Sequence, residues 1–83
     1  MIKVYKLRYS NKETAIADLK AKGVYTEDLS FGNGIHAIVE IGIVELVEGY
    51  HFDVMAETEI DFGINRIFPN NPKHTFAGYE VAN

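Results

Sequence analysis

The fold is decided by residues 35–56, which read IHAIVEIGIVELVEGYHFDVMA. Apolar residues occupy every second position from Ile35 to Ile43, which is the period of a β-strand. Glu48-Gly49 has the composition of a tight turn, and the alternation resumes at Tyr50. These residues therefore predict a β-hairpin, and its first strand is the strongest strand signal in the chain.

A two-residue turn at Glu48-Gly49 would fix the pairing of the two strands. It sets Ile43 opposite Val54 and gives the hairpin an apolar face that a helix can cover. The same register places Glu40 opposite Glu57, and like charges directly opposite each other are destabilising. We therefore expect an irregularity such as a bulge at the far end of the hairpin.

The residues before the hairpin predict a strand followed by a helix. Residues 2–9, IKVYKLRY, interleave apolar residues with three cations and favour a first strand. Ser10 and Glu13 have the spacing of a capping box, in which each side chain accepts a hydrogen bond from the other residue's amide. A helix is therefore expected to begin at Asn11.

This helix is predicted to end at Gly23. Glycine readily adopts the left-handed conformation that stops a helix, and Lys20 and Lys22 suit the negative end of the helix dipole. With Gly23 in that position, Val24 and Leu19 are the pair whose hydrophobic contact usually accompanies such a stop. Residues 25–34, YTEDLSFGNG, are then a loop that leads into the hairpin.

The residues after the hairpin predict extended structure. Residues 57–63 are acidic with Ile60 and Phe62 as apolar anchors, and residues 64–68 fit a short strand or an extended connection. Residues 74–81 fit a last edge strand, bent or bulged at Gly78. The whole pattern predicts one α+β domain over residues 1–83. It has a three- to four-stranded, mainly antiparallel sheet with one helix on one face, in the order β-α-β-β plus a C-terminal extended or edge strand.

Size and composition narrow the classes of function. Eighty-three residues, 47% hydrophobic and 24% charged, are typical of a small folded domain. The chain has no cysteine, which excludes disulfides, thiol chemistry and thiolate metal sites. The formal charge is −4 and the cations are scattered, which disfavours binding to nucleic acid.

No segment predicts insertion into a membrane or secretion. The longest apolar-rich run, residues 34–47, contains charged residues and is shorter than the roughly 20 residues of a membrane-spanning helix. The first residues mix cations with apolar residues and do not resemble a secretory signal. We therefore expect a cytoplasmic protein without a membrane partner.

His51 and Asp53 are the sharpest candidates for catalysis or metal binding. They lie two residues apart on one strand face, where a carboxylate can orient an imidazole or both can hold a metal. A metal site needs three or four ligands, and the predicted neighbours across the hairpin are Leu46 and Val44. We interpret the pair as the polar outer face of the hairpin and keep a small metal- or ligand-binding enzyme as the alternative.

The remaining chemical signals favour a protein that is not an enzyme and has no cofactor. The acidic residues Asp53, Glu57, Glu59 and Asp61 lack the spacing of a calcium loop and indicate a solvated charged face. Phosphate-binding glycine loops, nucleophile elbows and the His-Glu-x-x-His motif are absent from the sequence.

Residues 68–79, FPNNPKHTFAGY, contain both prolines and predict a stiff, non-helical connector. In one interpretation Phe68 and Phe76 are anchors that close an open end of the core. In the other, the segment contacts a protein partner or a second copy of the chain. The candidate contact residues are Phe68, Asn70, Asn71, Lys73, His74, Phe76 and Tyr79.

Three stretches carry a family resemblance, namely Tyr50-His-Phe-Asp-Val-Met55, Phe68-Pro-x-x-Pro-x-His-x-Phe-Ala-Gly78 and Ala21-Lys-Gly-Val-Tyr25. Together they resemble a group of short uncharacterised proteins of tailed bacteriophages and prophages, often encoded beside tail or lysis genes. Relatives in that group often have a longer acidic insertion between the hairpin strands, which this chain lacks at Glu48-Gly49.

The resemblance implies a phage setting, in the host cytoplasm or in association with the virion, and it implies no mechanism. Together with the chemical signals it predicts a non-enzymatic protein-interaction, structural or accessory module with a role in the virion, in assembly or in host interaction.

Overall fold

The computed structural model of the protein describes residues 2–44 and 47–68. Its elements in chain order are β1 (Lys3–Tyr9), α1 (Lys12–Ala21), β2 (Ile35–Val44), β3 (Val47–Ala56), a 3₁₀ helix (Gly63–Asn65) and β4 (Arg66–Ile67). The strands form one antiparallel sheet in the order β2-β3-β1-β4. This confirms the predicted α+β fold, whereas the edge strand predicted at residues 74–81 lies outside the described residues.

Helix α1 covers one face of the sheet and forms the core with it. The side chains of Tyr5 and Leu7 on β1 and of Phe52 and Val54 on β3 alternate onto this face and are fully buried. Burying a side chain of this size contributes about 1.5–3 kcal/mol relative to leaving it in water. The core as a whole consists of Tyr5, Leu7, Tyr9, Ala15, Leu19, Val24, Phe52, Val54, Ala56 and Phe62.

The helix begins one residue later than predicted. Asn11 is the N-cap, and its Oδ1 atom accepts a hydrogen bond of 2.8 Å from the amide of Thr14. The predicted capping box at Ser10 was therefore wrong. Both residue types are good N-caps, but the backbone of Asn11 is still extended, with φ −159° and ψ 174°, so Asn11 is the last residue before the helical turn.

The end of the helix confirms the prediction at Gly23. Gly23 has φ +79°, and its amide donates to the carbonyl of Lys20 at 3.1 Å. The amide of Val24 donates to the carbonyl of Leu19 at 2.9 Å, and both side chains are fully buried. This is the Schellman arrangement, in which the reversed chain direction brings the two apolar side chains together.

Within the described residues, no helix is long and apolar enough to cross a membrane.

Two side-chain contacts hold α1 against the sheet. The Tyr9 hydroxyl donates to Asp18 Oδ2 at 2.7 Å, and burial together with this bond raises the pKa of Tyr9 well above its ordinary range. At the start of the helix, Lys12 Nζ lies 3.2 Å from Glu40 Oε2 on β2. The helix is thus fixed near both of its ends by side chains from two different strands.

The hairpin turn predicted at Glu48-Gly49 was wrong, because β3 already begins at Val47 and runs through both residues. Gly49 is required there by a close approach of β1. A Cβ atom at this position would lie 2.6 Å from Cγ of Arg8 and 3.0 Å from the carbonyl oxygen of Tyr9. A glycine that allows close strand packing and a glycine in a turn look the same in a sequence.

The register of the hairpin differs accordingly from the prediction. Glu40 lies opposite Phe52 and Ile43 opposite Tyr50, so the expected pairing of Glu40 with Glu57 does not form. An irregularity was expected at the far end of the hairpin, where the register shifts between Ile35 and Ala37. Two further shifts, between Glu40 and Gly42 and between Ile43 and Val44, were not predicted. These bulges interrupt the strict alternation of the sequence pattern.

Candidate functional site

The sheet face opposite α1 carries a buried polar cluster. Asp53 on β3 lies directly opposite Lys6 on β1, and Lys6 Nζ is 2.7 Å from Asp53 Oδ2. The side chain of Asp53 is fully buried and that of Lys6 is 8% exposed. At this distance the pair forms a charge-assisted hydrogen bond between the two central strands. It joins residues that are 47 positions apart in the chain.

His51 belongs to the same cluster. It lies two residues before Asp53 on the same strand face and is fully buried. Its Nδ1 atom is 3.2 Å from the carbonyl oxygen of Gly42, which the β2 bulge after Glu40 places opposite His51. Because a carbonyl oxygen can only accept, we assign the proton of the neutral imidazole to Nδ1, which makes Nε2 a hydrogen-bond acceptor.

The electrostatic environment keeps His51 neutral. Burial lowers the pKa of His51 from its ordinary value of 6.5, because the imidazolium ion loses its hydration. The positive charge of Arg8, opposite His51 on β1, lowers this pKa further. Backbone contacts with Gly42 and Gly49 and the charge of the Asp53 carboxylate act in the opposite direction and do not outweigh burial. At neutral pH the side chain is therefore an uncharged donor and acceptor.

The structure brings His51 and Asp53 together as predicted, but their interpretation as a solvated outer face was wrong. β3 is an interior strand, and the counter-charge for Asp53 comes from β1, on the side of β3 away from the predicted hairpin partner. The acidic residues after the strand, Glu57, Glu59 and Asp61, are exposed as predicted.

Lys6 is the member of the buried cluster that sequence reasoning missed. It alternates with the buried Tyr5 and Leu7, so the sequence places it on the pleat face away from the core. A lysine at that position is usually solvated. Its burial depends on the β1–β3 register, which sets Lys6 against Asp53 and is not readable from local pattern.

The described residues do not supply the ligand set of a metal site. In residues 2–44 and 47–68 no group of three or more His, Cys, Asp or Glu side chains could hold a metal ion. His36 lies 3.3 Å from Glu57 at the far end of the hairpin, through Nε2 and Oε2, and so does not approach His51. Within this part of the chain, a metal at His51 and Asp53 would have two protein ligands.

An open cleft of about 380 Å³ lies at the end of β1. Arg8, Glu48, Ile64 and Asn65 contribute to its walls. The positive charge of Arg8 and the negative charge of Glu48 face the same space, so the cleft has no net charge that would select an ion. We find no arrangement in its walls that defines a reaction.

A second surface of interest lies at β4, and we call it the β4 surface. It consists of Arg66 and Phe68 together with Ile64 of the 3₁₀ helix that precedes β4, and the buried Tyr5 ring lies beneath Arg66. The Arg66 guanidinium carbon lies 4.6 Å from the centre of the Tyr5 ring and 4.9 Å from that of Phe68, distances typical of cation–π contacts. The side chains of Phe68 and Ile64 are 78% and 96% exposed.

The exposure of Phe68 overturns its predicted role as a core anchor. Phe62 takes that role, since it is buried and packs edge-on against Tyr5 with ring centres 5.2 Å apart. Phe62 was predicted as an apolar anchor of the acidic segment, and this is confirmed. β4 pairs with β1 at the edge of the sheet, so Phe68, just beyond β4, lies at the periphery of the molecule.

The other candidate contact residues lie outside the described residues, namely Asn70, Asn71, Lys73, His74, Phe76 and Tyr79. No protein-family model matches the chain, and neither a curated protein nor a solved structure matches it at a significant level. The function is therefore proposed from the geometry of the buried cluster and of the β4 surface, together with the resemblance to the phage proteins.

Proposed function

We propose that the protein is a non-enzymatic protein-interaction module, with a structural or accessory role in a phage or prophage. The observation that carries the proposal is the exposure of Phe68 and Ile64 on the β4 surface. Burying apolar area releases about 25 cal/mol per Å², so large exposed apolar side chains favour a partner that covers them. Aromatic and arginine side chains are also enriched among the residues that dominate binding energy.

The buried polar cluster of Lys6, His51 and Asp53, on the sheet face opposite α1, supports a non-enzymatic function. A catalytic pair must reach its substrate, whereas His51 and Asp53 are fully buried and bonded to Gly42 and Lys6. This arrangement suits a structural role in which the cluster fixes the pairing of the strands. The phage setting is supported by the resemblance carried by Tyr50–Met55 and Phe68–Gly78.

The proposal is tested by co-expressing the tagged chain with the products of the genes that flank it. We expect a flanking product, or a second copy of the chain, to co-purify with the wild type and to be lost with Phe68→Ser and Ile64→Ser. Ile43→Ser is the matched control, because Ile43 is 74% exposed and lies on β2 at the opposite edge of the sheet. A chain that stays monomeric and retains no flanking product would overturn the proposal.

The competing proposal is a small metal- or ligand-binding enzyme that uses His51 and Asp53. It is favoured by the contact of His51 Nδ1 with a backbone carbonyl, because metal-binding histidines typically donate their other ring N–H in this way. Metal analysis of the purified protein tests it. About one equivalent of bound metal, with a thermal shift on adding zinc or manganese that His51→Ala abolishes, would replace the interaction proposal.

A further inference from the structure

We infer that the β4 surface binds a second copy of this chain, with Arg66 of each copy paired to Glu59 of the other. The inference rests on the proposed interaction function and names the partner and the residues that recognise it. Three features of the described residues carry it, namely a held arginine, an adjacent acidic segment and a surface that is complementary to itself.

The Arg66 guanidinium is positioned by two aromatic rings and can pair with a carboxylate. Its guanidinium lies over the Tyr5 and Phe68 rings, which restrict its position while leaving the N–H groups at its edge. None of the ion pairs and side-chain hydrogen bonds found within residues 2–44 and 47–68 includes Arg66. An arginine with five N–H donors pairs best with a carboxylate in a bidentate contact.

The acidic segment 57–61 lies at the hydroxyl end of the same tyrosine. The Tyr5 hydroxyl donates to the carbonyl of Thr58 at 3.3 Å and accepts from the amide of Ile60 at 3.0 Å. The segment is thus fixed beside the ring that Arg66 covers. Arg66 and the acidic segment therefore both cover the buried Tyr5, one over its ring and the other at its hydroxyl group.

Glu59 is the most available carboxylate of the segment. Its side chain is 81% exposed, and its contact with Lys3 Nζ at 3.4 Å is a solvated ion pair of the kind that contributes little. Asp61 instead accepts from the amide of Gly63 at 2.9 Å, which turns it toward its own turn. Glu59 is consequently free to change partner at small cost.

A two-fold dimer requires that one patch contain both halves of the recognition. A cation over the Tyr5 ring and a carboxylate in the segment bonded to the Tyr5 hydroxyl meet this requirement, because a two-fold rotation can place each Arg66 against the other copy's Glu59. Phe68 is exposed and lies against Arg66, so we expect the same contact to bring both Phe68 rings against the other copy. A nucleic-acid phosphate is a poorer occupant, since the chain carries a net charge of −4 and Arg66 is a single cation.

Charge exchange in the full chain tests this inference, with the dimer dissociation constant measured by sedimentation equilibrium. We expect a wild-type dimer at micromolar concentration and about tenfold weaker association for Arg66→Glu and for Glu59→Arg, the loss typical of an interface residue of more than about 1 kcal/mol. The double variant Arg66→Glu/Glu59→Arg is expected to recover association, because it restores both ion pairs with their signs exchanged.

Two control variants change net charge by the same amount elsewhere. Lys20→Glu on the helix and Glu27→Arg in the exposed loop are expected to leave the dissociation constant unchanged. Circular dichroism verifies that each variant is folded. A wild type that is monomeric throughout, or a double variant no tighter than the single ones, would overturn the inference. If such a monomer still captures a flanking gene product through Phe68, the proposed function stands while the dimer fails.

Discussion

Lys6 Nζ lies 2.7 Å from Asp53 Oδ2 between the two central strands of the sheet, with both side chains almost entirely removed from water. The attraction of such a pair is largely offset by the loss of hydration, so its net contribution to stability is small. Its effect on specificity is larger. A slip of one residue between β1 and β3 would turn Lys6 toward the apolar core, where its charge would have no counter-ion. The pair therefore selects one register.

Removing one member of this pair is expected to destabilise the protein by about 3–5 kcal/mol, because the other charge stays buried. Lys6→Met and Asp53→Leu test this by urea unfolding, together with the double variant. We expect the double variant to lose clearly less than the sum of the two single losses, since it leaves neither charge of the pair in the interior. Strictly additive losses would show that the two side chains do not depend on each other.

The free energy of unfolding is expected to fall as the pH is lowered through about 6.5. The pKa of His51 is lower in the folded chain than in the unfolded one, so acid protonates the unfolded chain first and stabilises it. The contribution is fully present above the unfolded pKa and is lost toward acid. Urea unfolding at pH ~7.5 and ~5.5 measures it.

The variant His51→Asn isolates this effect, since its amide can still donate toward Gly42 without titrating. We expect it to lose most of the pH dependence in this range. His36→Asn removes an exposed histidine instead and is expected to keep that dependence. An unchanged slope in His51→Asn would assign the titration to other groups.

Alanine substitutions can distinguish the predicted helix cap, Ser10, from the observed cap, Asn11. Asn11→Ala is expected to cost about 1 kcal/mol, because it removes the oxygen that accepts from the Thr14 amide. Ser10→Ala is expected to change stability by less than about 0.5 kcal/mol, since Ser10 is exposed and not the cap. Thermal unfolding of the two variants checks this order, and the reverse order would mean that the cap is at Ser10.

Gly32→Ala is expected to destabilise the protein more than Gly23→Ala. A Cβ atom on Gly32 would lie 1.8 Å from the carbonyl oxygen of Gly23, so backbone must move to make room. Nothing lies within 4 Å of a Cβ atom on Gly23, which leaves only the cost of φ +79° for alanine, about 1–2 kcal/mol. Urea denaturation curves of the two variants measure this difference. Equal losses of stability would contradict the close approach of Gly32 to the carbonyl of Gly23.

Local signals predicted the elements of the fold well, because each depends on neighbouring residues. The stop at Gly23 and the contact of Val24 with Leu19 follow from three adjacent signals that agree. The hairpin register failed because the pattern around Glu48-Gly49 fits both a turn and a strand. The glycine is required in the strand because Arg8 and Tyr9 approach it closely, and these residues are distant from it in sequence.

The candidate site was predictable only in part for the same reason. His51 and Asp53 share a strand face by their spacing alone, and this was read correctly. Their contacts with Lys6 and with the carbonyl of Gly42 depend on strand pairing and on a bulge, which the local pattern does not show. The stacking of Arg66 on Tyr5 likewise requires the pairing of β4 with β1, two strands at opposite ends of the described chain.

The sheet order has a consequence for synthesis. β1 is made first, yet it lies between β3 and β4, so both of its neighbours are still missing when it leaves the ribosome. Until residues 47–67 have been translated, the nascent chain holds a β1 strand with two unpaired edges, beside a helix that has no completed sheet to cover. Native pairing of β1 is thus delayed until β3 and β4 have been translated, and aggregation during that interval is a hazard set by topology.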